Sequence, residues 1–391
     1  MRVLHVSPYF APAFVYGGPP RSILGLCRGL QANGVDVDVV TTTANGRQPE
    51  LLPSAERSRY NDVPVRYFAL DTPRRLWNSP QLRNTLLDEV PSYDLVHIHG
   101  LWHRPGWDAA RIARLHTVPY VISPRGMLED AALSVHSFRK RVAWRLVEQR
   151  NVQNASWIHA TSPAEARTLE RGAFGPATVL APNGVDADAL RSADPSATLK
   201  RFNLREAEKF VLYLGRVHPI KRLDLLADAI GRRRGAPTRV VVAGPDDGGY
   251  RDTIAPRFAA AGGDVVWTGP VDGQEKADLL NAATVLVMCS DSESFGLSVA
   301  EAMAVGVPVV VTRTCPWEEV EQAGAGRWVP QNADALAAAL DQILGNEELA
   351  RSMGLRGREL MTRRYTLTAT ARIIAERYRD TIGGRRMART V

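Results

Sequence analysis

Short apolar runs recur along the whole chain, at residues 3–7, 35–42, 95–100, 119–123, 157–162, 210–217, 239–243, 265–271, 284–289 and 307–312. In most of them the apolar residues are consecutive, which is the mark of strands buried on both faces, whereas 35–42 begins by alternating with Asp36 and Asp38. Stretches with helical spacing follow several of them, at 21–33, at 163–171 behind a Thr161-Ser162 cap, and from Gly296 onward. Strand–helix alternation of this kind predicts parallel sheets covered by helices. The tail is expected to be helical from Ala333 to about Ile382, then disordered and basic over 383–391. A chain of 391 residues exceeds one compact core, so two α/β domains are expected.

The most informative run continues past its strand. Residues 284–289 are apolar, 290–294 form a polar turn, and a small-residue helix then runs to Gly306 and Pro308. Its loop lies at the carboxyl end of a strand, where open α/β sheets bind ligands. Phe295, Gly296 and Leu297 open the helix, and the unpaired N–H groups there suit a phosphate. Glu293 in the loop and Glu301 in the helix have seven residues between them. Each can meet a different part of one extended ligand, and a carboxylate accepts a pair of sugar hydroxyls well. Two solvated glutamates are the plain alternative.

Glu293-Ser-Phe-Gly-Leu-Ser-Val-Ala-Glu301 resembles the donor-site signature of retaining glycosyltransferases of family 4. The resemblance implies the GT-B fold, two Rossmann-like doubly wound parallel-sheet domains facing a central cleft. It places an acceptor domain at 1–185 plus a terminal helix of about 366–391, and a donor domain at 186–365. It further implies that Glu293 contacts the transferred sugar, that Glu301 binds the ribose, and that the backbone of Phe295, Gly296 and Leu297 faces the diphosphate. The nucleotide base would lie at 269–271, against Val271.

Gly215-Arg216 ends the strand that begins at Phe210, and Lys221 lies where the next helix starts. Two cations beside a helix N-terminus make a diphosphate site without a metal. By resemblance they hold the leaving diphosphate. After the first strand the chain carries Tyr16-Gly17-Gly18-Pro19 instead of Gly-x-Gly-x-x-Gly, which disfavours an NAD enzyme. The resemblance gives Gly17 and Gly18 a close approach to the diphosphate and sugar, against the plain reading of a glycine turn.

His97 and His99 are expected on opposite faces of their strand, so that they cannot chelate one metal. His99, Trp102 and His103 lie at or past its end and are candidates to line an acceptor pocket. Arg125 occupies the loop position where many family members carry a histidine, in a pattern, Ser-Pro-Arg-Gly-Met-Leu, that resembles bacterial surface-polysaccharide transferases. A guanidinium is no base, but it can hold a leaving phosphate or an acidic acceptor. Residues 138–150 form a basic amphipathic helix, with Phe138, Val142 and Leu146 amid Arg139, Lys140, Arg141, Arg145 and Arg150. Such a helix fits an anionic membrane surface or a docked, solvated element.

The net charge of +7 comes mostly from arginine, since lysine occurs only at 140, 200, 209, 221 and 276. No nucleic-acid module or aromatic–basic stacking platform accompanies it, so nucleic acid is excluded as a partner. Cys27, Cys289 and Cys315 are odd in number and far apart, which suggests reduced thiols in a cytoplasmic protein, and the basic helix together with the resemblance implies a peripheral place at the inner membrane face. No apolar start resembles a signal peptide, and no run reaches the ~20 residues of a spanning helix. Asp246-Asp247 has no third acid nearby, so neither metal nor other cofactor is expected. These readings converge on a metal-independent, retaining transferase that moves a sugar from a UDP- or GDP-sugar to a glycan or lipid-linked acceptor in polysaccharide or lipopolysaccharide synthesis. A catalytically silent nucleotide-sugar binding protein, and an epimerase or phosphorylase of the same architecture, are the alternatives.

Overall fold

The computed structural model describes residues 1–46, 54–72, 74–129, 137–192, 194–246 and 248–388. It divides into two compact units, one of residues 1–184 with 367–391 and one of residues 185–366.

The first unit carries an eight-stranded sheet in the order β3-β4-β2-β1-β5-β6-β7-β8. These strands are Arg2–Val6 (β1), Asp36–Thr42 (β2), Ser54–Tyr60 (β3), Val63–Phe68 (β4), Leu95–His99 (β5), Tyr120–Ser123 (β6), Ile158–Ala160 (β7) and Thr178–Leu180 (β8). All pairings are parallel except β3 with β4, an antiparallel edge that the apolar pattern does not announce because its residues are largely polar. Successive residues of one strand feed different cores. Leu4 and Val6 pack on one face with Val96, Ile98 and Ile122, while Val3 packs on the other with Val37, Val39, Leu95 and Val121. That division explains the unbroken apolar runs.

The second unit holds a parallel sheet in the order β11-β10-β9-β12-β13-β14. Its strands are Phe210–Leu214 (β9), Arg239–Ala243 (β10), Val265–Gly269 (β11), Val285–Met288 (β12), Val309–Thr312 (β13) and Gly326–Val329 (β14). Here too Leu212, Val241, Leu286 and Val309 face one core, and Val211, Val240, Val242, Val285 and Val310 face the other.

Two sequence expectations are corrected. The first helix spans Gly18–Ala32 rather than starting at Arg21. Pro19 and Pro20 fit its first turn because those N–H groups have no intrahelical acceptor. The terminal helix, Leu367–Ala388, continues into the segment expected to be disordered, of which 389–391 lie outside the described residues, and Ala371, Ile374, Ala375 and Tyr378 are buried in the first unit's core. The first helix touches it closely, for a Cβ on Gly29 would stand 2.4 Å from the Leu367 carbonyl oxygen.

Candidate active site

In each sheet the chain leaves the first strand of the unit toward one side and later returns to the other. In the second sheet β9 lies between β10 and β12, so the carboxyl ends of β9 and β12 flank a switch point, where open α/β sheets bind ligands. Both candidate motifs sit there. Gly215 and Arg216 follow β9, and Lys221 ends a short 3-10 turn, Pro219–Lys221, that leads into helix Leu223–Arg232. Glu293 lies in the loop after β12, and Glu301 one turn inside helix Leu297–Ala304.

Each glutamate is met by one lysine. Lys221 Nζ donates to Glu293 Oε1, which also accepts from Ser290 Oγ at 2.9 Å. Lys276 Nζ donates to Glu301 Oε1 at 2.5 Å, and both side chains of this pair are about nine-tenths buried. Among the described residues, neither glutamate's Oε2 takes a hydrogen bond. The two carboxylates therefore present an open acceptor edge with their charge already balanced. Lys276 lies in helix Gly273–Ala282 and escaped the sequence reading. The one available signal was its rarity, since two of five lysines in the chain pair with the two motif glutamates.

The loop between the glutamates is held rigidly. Asp291 N donates to Ile220 O at 2.8 Å, and Arg222 Nη1 to Asp291 Oδ1 at 2.9 Å, which ties the two loops together. Thr314 Oγ1 and Gln331 Nε2 hold the Ser290 carbonyl. Phe295 is buried against Trp317 and Tyr365, and Trp317 Nε1 donates to the Phe295 carbonyl at 2.5 Å. Gly296 has φ +81° and serves as the cap of the helix that Leu297 begins. A Cβ there would stand 3.0 Å from Met288 Sδ and from Trp317 Nε1, so only glycine fits both conformation and space. Tyr213 OH donates to the Arg216 carbonyl at 2.7 Å, which fixes the turn after β9. Val271 is buried in the core beside the end of β11. Asp246 caps the next helix through Arg251 N, while its neighbour Asp247 lies outside the described residues.

Residues 196–360 match the family model described as glycosyl transferases group 1, and residues 17–184 match a glycosyl transferase 4-like domain. D-inositol 3-phosphate glycosyltransferase 2 of Catenulispora acidiphila is 32% identical over 340 aligned residues, covering 79% of this chain and 77% of that protein. The D-inositol 3-phosphate glycosyltransferase of Frankia alni is 30% identical, covering 97% of this chain and 98% of that protein. The chain belongs to the group 1 glycosyl transferases. Two solved structures share the fold of this transferase, which is GT-B. Sucrose-phosphate synthase from Thermosynechococcus elongatus superimposes with a TM-score of 0.77 at 21% identity, covering 98% of this chain and 100% of that one. Anabaena HepE in complex with UDP and glucose gives 0.75 at 18%, covering 96% and 98%.

The transferase's first sheet has its own switch point, between β1 and β5. Gly17, with φ +82°, turns the chain into helix Gly18–Ala32 beside it, and Gly18 is exposed. His99 ends β5, and contrary to the sequence expectation its ring lies 4.1 Å from that of His97. The reason is elementary. Residues two apart on a strand share a face, so His97 and His99 point the same way.

Hydrogen-bond partners fix the tautomers of this buried cluster. His159 Nε2 donates to the Ala181 carbonyl at 2.7 Å, so its Nδ1 accepts from Ser123 Oγ at 2.6 Å. Ser123 in turn accepts from His97 Nε2 at 2.6 Å, leaving His97 Nδ1 to accept from Tyr378 OH at 2.5 Å. This line is complete and fastens the terminal helix to the sheet. His103 caps helix Arg104–Leu115 by accepting from Gly106 N at 3.0 Å and donates to the His99 carbonyl, so it is structural. Trp102, at φ +64°, is held by its N–H to Glu148 Oε1 at 2.5 Å. Among the described residues, the one grouping of three metal-capable side chains is His5, His97 and His99. It suits a cation poorly, because both nitrogens of His97 are already bonded and Arg125 Nη2 lies 3.2 Å from His99 Nδ1.

Helix Ser137–Ala143 passes through a π-turn, Trp144–Glu148, into Gln149–Gln153. The widened turn points Glu148 inward onto Trp102 N and Trp107 Nε1. Val142 and Leu146 are 43% and 74% exposed, so this part of the apolar stripe faces solvent; the side chains of Phe138 and Arg139 lie outside the described residues. No helix among the described residues is long and apolar enough to cross a membrane. Cys27, Cys289 and Cys315 are free and buried.

Burial keeps the histidines neutral. It lowers His5 to about 3, and His103 and His159 to about 4, with His97 and His99 also well below their ordinary value. The unfolded chain therefore takes up protons near pH 6.5 that the folded chain refuses. Stability should be complete above that pH and fall as pH drops toward 4, by up to about 1.4 kcal/mol per unit for each histidine. Urea unfolding at pH 7.5 and pH 5.5 should give a markedly lower midpoint at the acid value, and His159→Gln should make the slope shallower. Equal wild-type midpoints at the two pH values would contradict the neutral assignment.

Proposed function

We propose that the second unit binds a nucleotide-diphosphate sugar, with UDP as the nucleotide, and that the enzyme transfers the sugar with retention and without a metal. The observation that carries this reading is the pair of lysine-balanced glutamates at the switch point of the second sheet, each with an acceptor edge left for hydroxyls. Anabaena HepE, solved in complex with UDP and glucose, favours uridine as the nucleoside. A ribose on Glu301 and a hexose on Glu293 fit the eight-position spacing along one extended ligand. Arg216, Lys221 and the N–H groups at the start of helix Leu297–Ala304 supply positive potential for the departing diphosphate, a preorganised electrostatic role. Glu293 is already bonded to Lys221 and Ser290, which makes it a weak nucleophile and a good orienting group. Attack by the acceptor hydroxyl on the face the diphosphate leaves, with a diphosphate oxygen taking the proton, then accounts for retention.

The acceptor is a glycan or a lipid-linked saccharide on this reading. The exposed face of helix Ser137–Gln153, with Val142 and Leu146 between Arg141, Arg145 and Arg150, supports an anionic bilayer as the place of work. The names of the relatives, D-inositol 3-phosphate glycosyltransferases, favour a phosphorylated polyol instead.

Substitutions divide the roles of the two glutamates. Glu301→Gln should weaken calorimetric binding of UDP about tenfold, because a charged hydrogen bond is worth ~1.5–3 kcal/mol. Glu293→Gln should leave UDP affinity nearly intact and lower transfer on the order of 10²-fold, as should Arg216→Ala and Lys221→Ala. EDTA should leave activity unchanged. Equal loss of UDP affinity in both glutamate variants, or activity abolished by EDTA and restored by Mg²⁺, would overturn the assignment.

Membrane attachment has its own test. The protein should sediment with anionic vesicles at low salt, at about 1 kcal/mol per basic residue near the surface. Combined Lys140→Gln, Arg141→Gln and Arg145→Gln should release it. Wild-type protein that stays in the supernatant would leave the helix a solvated surface element.

A further inference from the structure

Arg125 follows β6 in the left-handed backbone region, at φ +54°. Its loop is pinned in that strained form by Glu165, whose Oε1 accepts from Gly126 N at 2.6 Å and whose Oε2 accepts from Thr161 N and Oγ1 at 2.7 Å. From there the guanidinium crosses the switch point of the first sheet. Nη2 donates to His99 Nδ1 at 3.2 Å, at the end of β5, and Nη1 donates to Ser22 Oγ at 2.7 Å, on the helix that follows β1. Arg125 thus lies across the crevice where a doubly wound sheet takes its ligand.

No ion pair accompanies this charge directly among the described residues. Among the described residues no carboxylate stands within ion-pair distance of Arg125, and its Nε is buried without an acceptor. Glu165 lends the guanidinium its charge at a distance but spends both oxygens on the backbone and Thr161, so it supplies no acceptor. The histidines cannot help, because they are neutral donors in a fixed order. Arg125 donates to His99 Nδ1, so His99 donates through Nε2 to His5 Nδ1 at 2.8 Å, and the His5 proton is left on Nε2, buried and unpartnered. The cluster is therefore short of acceptors by at least two. Buried donors without acceptors are costly, and a ligand oxyanion supplies the acceptors.

We propose that Arg125 binds an oxyanion, a phosphate or carboxylate, carried by the acceptor substrate, and thereby selects anionic acceptors over neutral ones. The inference rests on the reading that the second unit takes the nucleotide sugar, since an oxyanion is also present in the donor diphosphate. Inorganic phosphate is the probe, titrated by thermal shift into protein saturated with UDP so that the donor site is occupied. Wild type should rise in unfolding midpoint with phosphate. Arg125→Gln should bind phosphate at least tenfold more weakly while keeping its UDP affinity within twofold, and Arg125→Lys should retain part of the response, having the charge without the planar fork. The unfolding midpoint of Arg125→Gln without phosphate should be no lower than that of wild type, because a buried donor without an acceptor has been removed; Arg125→Lys keeps the test readable if the Gln variant does not fold.

A phosphate response undiminished in Arg125→Gln overturns the proposal, as does a lowered midpoint with phosphate binding unchanged, which marks a structural arginine. A tenfold loss of UDP affinity in Arg125→Gln assigns the oxyanion to the donor diphosphate and overturns the acceptor assignment. If UDP fails to bind wild type at all, the donor reading falls, and the phosphate arm run without UDP still decides for or against Arg125.

Discussion

A carboxylate taken out of water has to be paired or it protonates, and the second unit is arranged around that demand. Glu301 sits in a helix of small residues that packs into the core, and Lys276 on a neighbouring helix meets it there. Glu293 is placed by a loop whose geometry is set by Gly296, by the Trp317 bond to the Phe295 carbonyl, and by the ties from Asp291 to the turn before Lys221. Each lysine takes only one oxygen of its partner. The pairing thus compensates both charges and leaves one oxygen of each carboxylate without a hydrogen bond among the described residues.

The first unit treats buried polarity differently. Its histidines are held neutral by burial and arranged in two hydrogen-bond lines, one directed by the Ala181 carbonyl and the other by the Arg125 guanidinium. Where such a line ends on a carbonyl it is fully satisfied, and it fastens Tyr378 and the terminal helix to the sheet. Where it starts from Arg125 it runs out of acceptors at His5. Both lines run through histidines. They differ in whether the chain supplies the last acceptor.

Much of this was legible in the apolar pattern. Strands buried on both faces leave continuous runs, so β1, β5, β9, β10, β12 and β13 stand out, and the spacing of Glu293 and Glu301 puts one in the loop and one in the helix whatever the surroundings. The polar edge strand β3 left no such trace. The paired face of His97 and His99 was legible too, and was misread, for a two-residue step on a strand keeps the face. Lys276 was invisible for a different reason: its contact with Glu301 joins two helices 25 positions apart, and local spacing says nothing about which of a sheet's covering helices are neighbours. The basic helix showed its amphipathic period but not its orientation, because periodicity defines a stripe without saying whether protein or solvent covers it.

The two sheets share a device, the switch point formed when the chain crosses from one side of its first strand to the other. Topology alone opens a crevice at β1 and β5 and another at β9 and β12, and gives both the carboxyl ends of parallel strands and the start of a helix. What distinguishes them is local charge. The second crevice pairs Glu293 with Lys221 and keeps spare carboxylate oxygens, so it offers acceptors to a hydroxyl-rich ligand beside cations suited to phosphate. The first offers donors, with Arg125 Nε and His5 Nε2 both unmatched. One architecture thus presents two complementary chemistries, which is what a transferase with two different substrates requires, and the difference rests on a few side chains rather than on the fold.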